Sequence, residues 1–506
     1  MHFLQVALLG ISKNLSQRTS RQSRQKRLLE TVMKRKSNLP SGARPVGNDK
    51  ARINSLRGES PFVIKPLLQF APEAESDGAV AIELVWIAHV KRSLWKVEYL
   101  AEGAVSWIVC DVEKVDSVTI KDNEFKRFRA LLKGLKPGSA FEYRVSIAGQ
   151  QVFAASAKTP PGSGCKTTVA LFGDFADGDP EATKVAKGAY KANADMVILV
   201  GDVVYNNGLY GEYRKHFDPV YNGDGERGAP IGRSVVTAAV PGNHDVRVPD
   251  RFDFIQHASD ADLFAFFRIF RHPNNGPKLD ADVLSKMVER ERDGQKLLKL
   301  YGPDFIKLSN YYFRQGDSFW VMLDANEYLD WRNPDLHKWL EKALAKGADC
   351  TWKFVCFHQP GFNSDAKYKT DTRMRVLSPI FEASGVDIVF SGHCHFYERS
   401  YPLKYKIKSG KAGRKLNPEG TMVLDKVFDG DKNNKPQGVI YIVSGAGGLL
   451  VTKGMRPSSH GKVESSFKIG DRKNSFTVLS LDGKVLTLRQ VDTAGGEVDK
   501  FLIDKN

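Results

Sequence analysis

The chain has 506 residues, 42% of them apolar and 26% charged, a balance that is typical of soluble globular proteins. Its length favours two or three domains over one, and no run reaches the roughly eighteen apolar residues of a membrane span. The formal charge of +16 comes mostly from residues 1–58, which hold thirteen Lys and Arg against two acids, so the rest of the chain is too mildly basic to indicate a nucleic-acid-binding protein.

Residues 1–58 are predicted to form a basic, poorly ordered leader and linker. Contact of this tail with nucleic acid or with an anionic membrane is a second interpretation. The first apolar run, HFLQVALLGI, is short for a signal peptide and has no Lys or Arg before it. The N-terminus therefore does not indicate a cellular compartment.

Residues 59–161 contain short apolar runs with strand character, such as AIELVWIAH and FEYRVSIAG, separated by turns that contain Gly and Pro. About seven such runs in a hundred residues predict a β-sandwich. The segment LKPGSAFEYRV resembles the turn and late strand of a fibronectin type III module. We therefore expect an all-β, immunoglobulin- or fibronectin-III-like sandwich that ends near the sequence TPPGSG.

From residue 162 to residue 506 the pattern changes to strands that alternate with helices. Apolar strands are predicted at TTVALF, DMVILV, SVVTAAV, KFVCF and VDIVF, and helical periodicity is present in EATKVAKGAYKANA and PDLHKWLEKALAKG. Alternation of this kind predicts an α/β layered domain.

Five of the predicted strands end in polar residues that are able to bind a metal ion. These residues are Asp174, Asp202, Asn243 with His244, His358, and the pair His393 and His395. Strand C-termini in open α/β sheets meet at one edge, where ligands bind. Taken singly, an acid here could cap a helix, His358 could be a core histidine, and GHCH could be half of a zinc site that includes Cys394. Five strand ends of the same kind favour one shared site.

In this order, the motifs GDF, GDVVY, GNHD, FHQP and GHCH resemble those of the calcineurin-like metallophosphoesterases. The tyrosine of GDVVY and the YER after GHCH narrow the resemblance to the purple acid phosphatases. The resemblance extends over residues 60–490 and includes the preceding β-sandwich. It implies a four-layer αββα metallophosphoesterase sandwich for residues 162–506 and an acid phosphatase activity on phosphate monoesters.

The resemblance also implies a dinuclear metal centre whose ligands follow the strand ends. The first site would consist of Asp174, Asp202, Tyr205 and His395, and the second of Asp202, Asn243, His358 and His393. Asp202 would bridge the two ions, and the two histidines of GHCH would bind different ions. The side chain of Cys394 points away from them because side chains alternate along a strand.

The implied cofactors are Fe³⁺ in the first site and a divalent ion, Zn²⁺, Mn²⁺ or Fe²⁺, in the second. A phenol such as Tyr205, with an ordinary pKa of about 10, ionises at neutral pH only beside a strong Lewis acid. Metal binding lowers the pKa of water from about 15.7 to about 7, so a metal-bound hydroxide is the implied nucleophile. His244 is the candidate to bind the phosphoryl group together with Asn243 and to protonate the leaving group, with Asp245 orienting its ring.

One departure from the family pattern leaves alternatives open. Plant-type members carry further histidines shortly after FHQP, whereas this chain has none there, and Asp365, Lys367 or Tyr368 is the candidate replacement. A phosphodiesterase or nucleotide hydrolase on the same scaffold is one alternative function, and a non-catalytic binding protein that uses the basic tail is another. A secreted or extracytoplasmic location follows from the resemblance alone, and the sequence does not indicate an oligomeric state.

Overall fold

The computed structural model of the protein describes residues 60–71, 80–89, 94–120, 123–246, 265–280, 302, 305–408, 417–449 and 467–506. The predicted leader, residues 1–58, lies outside these ranges. No helix in the described ranges has the length and hydropathy needed to cross a membrane.

The predicted β-rich region is present and is built from strands alone. Its strands are β1 (Phe62–Phe70), β2 (Val80–Ala88), β3 (Trp95–Ala101), β4 (Ile108–Cys110), β5 (Val112–Ile120), β6 (Asn123–Leu135), β7 (Ala140–Ile147) and β8 (Gln150–Lys158). Strands β1, β2, β6 and β5 form one layer, and β4, β3, β7 and β8 form the other. Alternate residues of both layers, including Leu84, Trp86, Tyr99 and Tyr143, make one buried core. The relationship to fibronectin type III modules stays a prediction.

The rest of the described chain alternates strands and helices, as the sequence predicted. The strands are β9 (Thr167–Phe172), β10 (Met196–Leu199), β11 (Val236–Ala239), β12 (Tyr311–Gln315), β13 (Ser318–Met322), β14 (Trp352–Cys356), β15 (Ile388–Ser391), β16 (Tyr397–Ser400), β17 (Leu403–Ile407), β18 (Gly420–Leu424), β19 (Ile440–Ser444), β20 (Phe467–Asp471), β21 (Ser475–Asp482), β22 (Val485–Asp492) and β23 (Glu497–Asp504). The helices are α1 (Pro180–Lys191), α2 (Tyr210–Glu212), α3 (Asp218–Tyr221), α4 (Ile231–Ser234), α5 (Ala265–Ile269), α6 (Phe305–Ser309), α7 (Pro334–Ala345) and α8 (Ser378–Ala383), with a π-helical turn at Tyr213–Phe217 and a 3₁₀ turn at Arg373–Leu377.

Two large sheets carry the predicted site. The described strands form one sheet in the order β23-β22-β21-β9-β10-β11-β1-β2-β6-β5 and a second in the order β12-β13-β14-β15-β19-β16-β20. Strands β9, β10 and β11 are parallel to one another, and so are β13, β14, β15 and β19. Because parallel strands end at the same edge of a sheet, the residues that follow these strands are placed side by side.

The two sheets share an apolar core, and helices cover their outer faces. Val169, Ile198, Trp320, Phe354 and Phe390 belong to one cluster of buried side chains that draws on both sheets. Helix α1 packs against β21 and helix α7 against β13. The structure is therefore a layered α/β fold in which helices flank two sheets.

Residue chemistry at the helix ends explains where α1 and α7 begin. The side chain of Asp179 accepts from the backbone N–H of Glu181, and the side chain of Asn333 accepts from that of Asp335. A proline occupies the first turn of each helix. These are the capping residues that the free N–H groups of a first turn require.

The β-rich region is joined to the first large sheet by strand pairing. Gln69 of β1 stands opposite Thr237 of β11 in parallel register. Ser60–Asn506 accordingly forms one unit. The predicted division of the chain at residue 161 falls between β8 and β9 and stays a prediction.

Candidate metal centre

The predicted ligands stand just beyond the strand ends, where the backbone turns sharply. Asp174, Asp202 and His393 have φ values of +56°, +46° and +69°, a left-handed conformation that non-glycine residues rarely adopt. Such a backbone persists where the surrounding structure enforces it, often at functional sites. Here each turn brings a polar side chain back over the edge of the sheet.

Neighbouring glycines make this close packing possible. A Cβ atom on Gly201 would lie 2.6 Å from Nδ1 of His358, so no larger residue fits there. A Cβ atom on Gly242 would collide with the backbone and carboxylate of Asp202. The glycine before each turn therefore leaves room for a side chain that arrives from another strand.

Asp174, Tyr205 and His395 form a first group of donor atoms. The Tyr205 hydroxyl donates to Oδ1 of Asp174 at 2.9 Å and lies 3.2 Å from Nε2 of His395. The same His395 nitrogen is 3.3 Å from Oδ1 of Asp174. A phenol, a carboxylate and an imidazole thus converge from three distant parts of the sequence.

Asp202, His358 and His393 form a second group. One ligand atom from each of these residues lies within 4.8 Å of the other two. Nε2 of His358 is 3.1 Å from Oδ2 of Asp202, although it is not aligned for a hydrogen bond. Nδ1 of His358 donates to the carbonyl oxygen of Val200 at 2.8 Å, which directs Nε2 toward the site.

Buried polar atoms without a partner show that these groups fit a metal. Among the described residues, Oδ1 of Asn243 and Nε2 of His358 are buried and make no hydrogen bond. Such atoms are costly to bury, and proteins seldom leave more than one of them in the same place without a bound ligand. Carboxylate, imidazole, amide and phenol groups are the donors that a pair of transition-metal ions requires.

The charges of the site act strongly on one another. Burial raises the pKa of Asp202, but the nearby His358 and His244 outweigh it and hold this pKa well below its usual range. Burial opposes protonation of His358, yet the charges of Asp202 and Asp174 raise its pKa to about 9. Burial, then Asp174 and Asp202, raise the pKa of Tyr205 well above 10. The carboxylates of Asp202 and Asp174 therefore favour positive charge at this edge of the sheet.

His244 lies beside this site with a fixed ring. Its centroid is 4.6 Å from that of Tyr205, and its backbone N–H donates to Oδ1 of Asp202 at 2.7 Å. Nδ1 donates to the carbonyl oxygen of Asn206 at 2.9 Å. Because a carbonyl only accepts, the proton on Nδ1 is assigned and Nε2 is left facing other partners.

The expectation that Asp245 orients His244 is corrected by this geometry. The carboxylate of Asp245 accepts from the backbone N–H groups of Val203 and Gly242 and from the Tyr213 hydroxyl. Burial and the charge of Asp202 raise its pKa to about 7. Asp245 joins the turns after β10 and β11, and Asn206 supplies the contact to the imidazole. The side chain of Asp245 thus points into the protein, where it holds the two turns together.

The segment after FHQP reaches the rim of the site. The ring of Tyr368 lies 4.0 Å from that of His393, and Nζ of Lys367 donates to the Tyr368 hydroxyl at 2.6 Å. Asp365 is fully buried and accepts from the backbone N–H groups of both residues. Of the three candidate replacements, Tyr368 contacts a predicted ligand, Lys367 contacts Tyr368, and Asp365 holds the backbone of the turn that carries both.

Several supporting residues had not been assigned a role from the sequence. The carboxylate of Glu212 accepts from the backbone N–H groups of Asn206, Asn207 and Leu209 and so fixes the carbonyl that holds His244. Glu398 likewise accepts from the backbone N–H and hydroxyl of Ser364, at the start of the rim segment. Glu398 is the acid of the YER sequence that follows GHCH, so the motif itself points to this residue.

Gln359 and Asn326 make a further link behind the ligands. Nε2 of Gln359 donates to Oδ1 of Asn326 at 2.9 Å, and Nδ2 of Asn326 donates to the carbonyl oxygen of Gly242 at 3.4 Å. The residue after His358 is thus connected to the residue before Asn243. The sequence LDAN, which contains Asn326, does not by itself indicate this contact.

Comparison with known proteins agrees with this fold. Residues 167–397 match the family model of the calcineurin-like phosphoesterases. This part of the chain is therefore a calcineurin-like metallophosphoesterase domain. Its homologues include purple acid phosphatases. The chain is 44% identical over 101 residues to a purple acid phosphatase of Glycine max and 24% identical over 295 residues to purple acid phosphatase 23 of Arabidopsis thaliana.

The solved structures that resemble the chain show the same architecture. A purple acid phosphatase from yellow lupin (Lupinus luteus) seeds superposes with a TM-score of 0.61 over 87% of this chain and 74% of that one, at 16% identity. The structure of PhoD superposes with a TM-score of 0.54 over 89% and 91%, at 13% identity. The two sequence matches cover 19% and 53% of this chain, and 22% and 56% of the relatives. The chain thus spans only part of the curated relatives' length.

Proposed function

We propose that the protein hydrolyses phosphate monoesters as an acid phosphatase, with a dinuclear centre of Fe³⁺ and a divalent ion at the sheet edge. The observation that carries this proposal is the convergence of two donor groups. Asp174, Tyr205 and His395 make up one group, and Asp202, His358 and His393 make up the other. In this proposal Asp202 bridges the two ions, and Asn243 completes the second site.

The identity of the first ion is argued from Tyr205. Its pKa stands well above 10 because the phenol is buried beside Asp174 and Asp202. Only a strongly Lewis-acidic cation would displace that proton near neutral pH. Ferric iron has this property, whereas the imidazoles of His358 and His393 and the amide of Asn243 suit Zn²⁺, Mn²⁺ or Fe²⁺.

Two bound cations would supply Lewis-acid activation of water and charge stabilisation for an in-line displacement at phosphorus. The chain's own part in the reaction centres on His244. With Nδ1 anchored on Asn206, Nε2 is the atom placed to bind a phosphoryl oxygen and to hold the proton that the leaving oxygen takes. The contact to Tyr205 keeps the imidazole next to the first group of donors.

The preference for monoesters is argued from the rim. The ring of Tyr368 lies against that of His393, and its hydroxyl accepts a charged hydrogen bond from Lys367. A terminal phosphate presents two negative charges and three free oxygens to such a pair. A diester presents one charge and a second substituent that would have to pass the Tyr368 ring. The rim therefore favours the monoester.

A pair of substrates tests the proposal. We expect the full chain, reconstituted with iron and zinc, to hydrolyse p-nitrophenyl phosphate with a kcat/KM at least about tenfold above that for its bis ester, a difference of about 1.4 kcal/mol in transition-state binding. The reverse preference would instead favour a phosphodiesterase or nucleotide hydrolase. Inactivity toward both, with metals bound, would favour a binding protein. An extracytoplasmic location also remains a proposal, based on the family resemblance.

A further inference from the structure

We propose that the β-rich region carries a second, independent binding site, which takes a neutral saccharide on the outer face of the sheet β4-β3-β7-β8. A pocket of about 330 Å³ opens there and is lined by Trp107, Glu142, Arg144, Gln151, Ala154 and Ser156. This volume lies at the lower end of the range of small-molecule sites.

Strand register explains how the pocket arises. Arg144 of β7 stands opposite Glu98 of β3 on one side and opposite Ala154 of β8 on the other. Glu142 stands opposite Ser156 in the next outward row. Side chains of facing residues lie on the same side of a sheet. The large polar side chains of Arg144 and Glu142 on β7 therefore lie next to the small side chains of Ala154 and Ser156 on β8. The small residues leave the depression along β8.

Trp107 forms a preformed wall for this depression. Its ring lies 4.2 Å below the guanidinium carbon of Arg144, and Nε of Arg144 donates to Oε2 of Glu98 at 2.9 Å. Lys96 makes a second ion pair with Glu98 at 2.8 Å. The indole and the guanidinium are thus held in place before a ligand arrives, which lowers the entropy cost of binding.

The polar groups of the pocket point to a neutral polyol. Among the described residues, no hydrogen bond or ion pair engages the side chains of Glu142, Gln151 and Ser156, so a carboxylate, an amide and a hydroxyl remain for a ligand. The charges of Lys96 and Arg144 are matched by those of Glu98 and Glu142. A site without net positive charge does not favour phosphate or nucleic acid.

A pyranose ring satisfies this combination of groups. Its edge carries hydroxyls that can both donate to a carboxylate or amide and accept from a guanidinium. Its C–H groups can pack against the part of the indole that the Arg144 guanidinium does not cover. Such a site would attach the protein to a saccharide through the β-rich region, apart from the metal centre. This proposal does not depend on the proposed phosphatase activity.

Titration calorimetry of the full chain with cellohexaose, maltohexaose, chitohexaose and mannohexaose tests the proposal. We expect at least one of these neutral oligosaccharides to bind with a Kd of about 1 mM or tighter. We expect Trp107→Ala to weaken that binding at least about tenfold. Ala154→Phe, which fills the depression and leaves the tryptophan in place, should weaken it similarly. Tyr190→Ala is the matched control, because Tyr190 is a 46% exposed aromatic residue on α1, and it should bind as the unaltered chain does.

Hydrolysis of p-nitrophenyl phosphate by each variant shows that the metal centre is intact, and it should be unchanged. The proposal is overturned if none of the four oligosaccharides binds, or if binding survives both Trp107→Ala and Ala154→Phe. It is also overturned if only a sulfated polysaccharide such as heparin binds, because that result would identify a cationic surface instead.

Discussion

The hydroxyl of Tyr205 donates a hydrogen bond to Oδ1 of Asp174, and the two oxygens are 2.9 Å apart. Burial, and then the charge of this carboxylate, raise the pKa of Tyr205 and so favour the neutral phenol. For Tyr205 to serve as a ligand, a cation must take the place of this proton. The contact thus defines a test of which ion occupies the first site.

Tyr205→Phe should abolish the visible charge-transfer band of the iron-loaded protein while most of the iron stays bound. The band requires a phenolate on the metal, whereas Asp174, Asp202 and His395 remain to hold the ion. An absorption spectrum measured together with elemental analysis checks this. A variant that keeps both colour and iron would show that Tyr205 is not a ligand.

Asp202→Ala should release both metal ions, because the proposal makes this carboxylate the bridge between the two sites. Its Oδ2 lies next to Nε2 of His358, and its Oδ1 accepts the backbone N–H of His244. Metal content per chain, measured after dialysis, gives the answer. Asp218→Asn is the matched control, since Asp218 is also a buried acid but pairs with Lys65, and it should retain its metals. Full metal content in Asp202→Ala would rule out the bridge.

The sequence was sufficient to predict which polar residues gather at the edge of the sheet, because local signals place them there. Each candidate follows an apolar strand and a glycine or a short turn, and parallel strands leave their ends at one edge. Asp174 and His393 are 219 positions apart, yet the N–H of His393 donates to Oδ2 of Asp174 at 2.8 Å. The order of motifs along the chain thus carried most of the information about the site.

The contacts that the sequence did not predict depend on the backbone of loops and on long-range packing. The Asn206 carbonyl replaces Asp245 as the partner of His244 because Glu212 shapes the loop between them. No residue pattern encodes which carbonyl a loop presents. The pairing of β1 with β11 was equally hidden, since an alternating apolar strand does not reveal its partner.

His244→Ala should lower kcat by about 10²- to 10⁴-fold and leave metal content unchanged, as expected for loss of a general acid. A reduction in kcat that is larger for an alkyl phosphate than for p-nitrophenyl phosphate, whose leaving group needs little protonation, would identify the proton as the lost element. His216→Ala serves as control, because His216 lies on the π-helical turn and not at the sheet edge. An unchanged kcat in His244→Ala would remove this residue as the proton donor.

Lys367→Gln should raise KM for p-nitrophenyl phosphate about tenfold with a smaller change in kcat, because a charged hydrogen bond contributes roughly 1.5–3 kcal/mol. Tyr368→Phe removes only the hydroxyl and should have the same direction of effect with a smaller size, since the ring over His393 is kept. The control Lys369→Gln alters a neighbouring lysine without a contact to Tyr368. Steady-state kinetics in which KM stays the same in both variants would contradict a role for the rim in substrate binding.

His272→Phe should make the protein less sensitive to acid. His272 is only 4% exposed, stacks on Tyr311 with the ring centroids 4.2 Å apart, and has a buried Nε2 without a hydrogen bond. Burial lowers its pKa from 6.5 to about 3. Between these two values the unfolded chain binds a proton that the folded chain does not, so folding stability falls as the pH falls through 6.5 toward 3.

The loss from His272 alone is about 1.4 kcal/mol for each pH unit below 6.5, or about 2 kcal/mol at pH 5. Phenylalanine keeps the aromatic stack and cannot take up a proton in the unfolded chain. The decrease in melting temperature from pH 7.5 to pH 5 should therefore be smaller in His272→Phe than in the unaltered protein, while other buried groups contribute equally to both. Equal decreases in the two proteins would mean that another group causes the acid sensitivity.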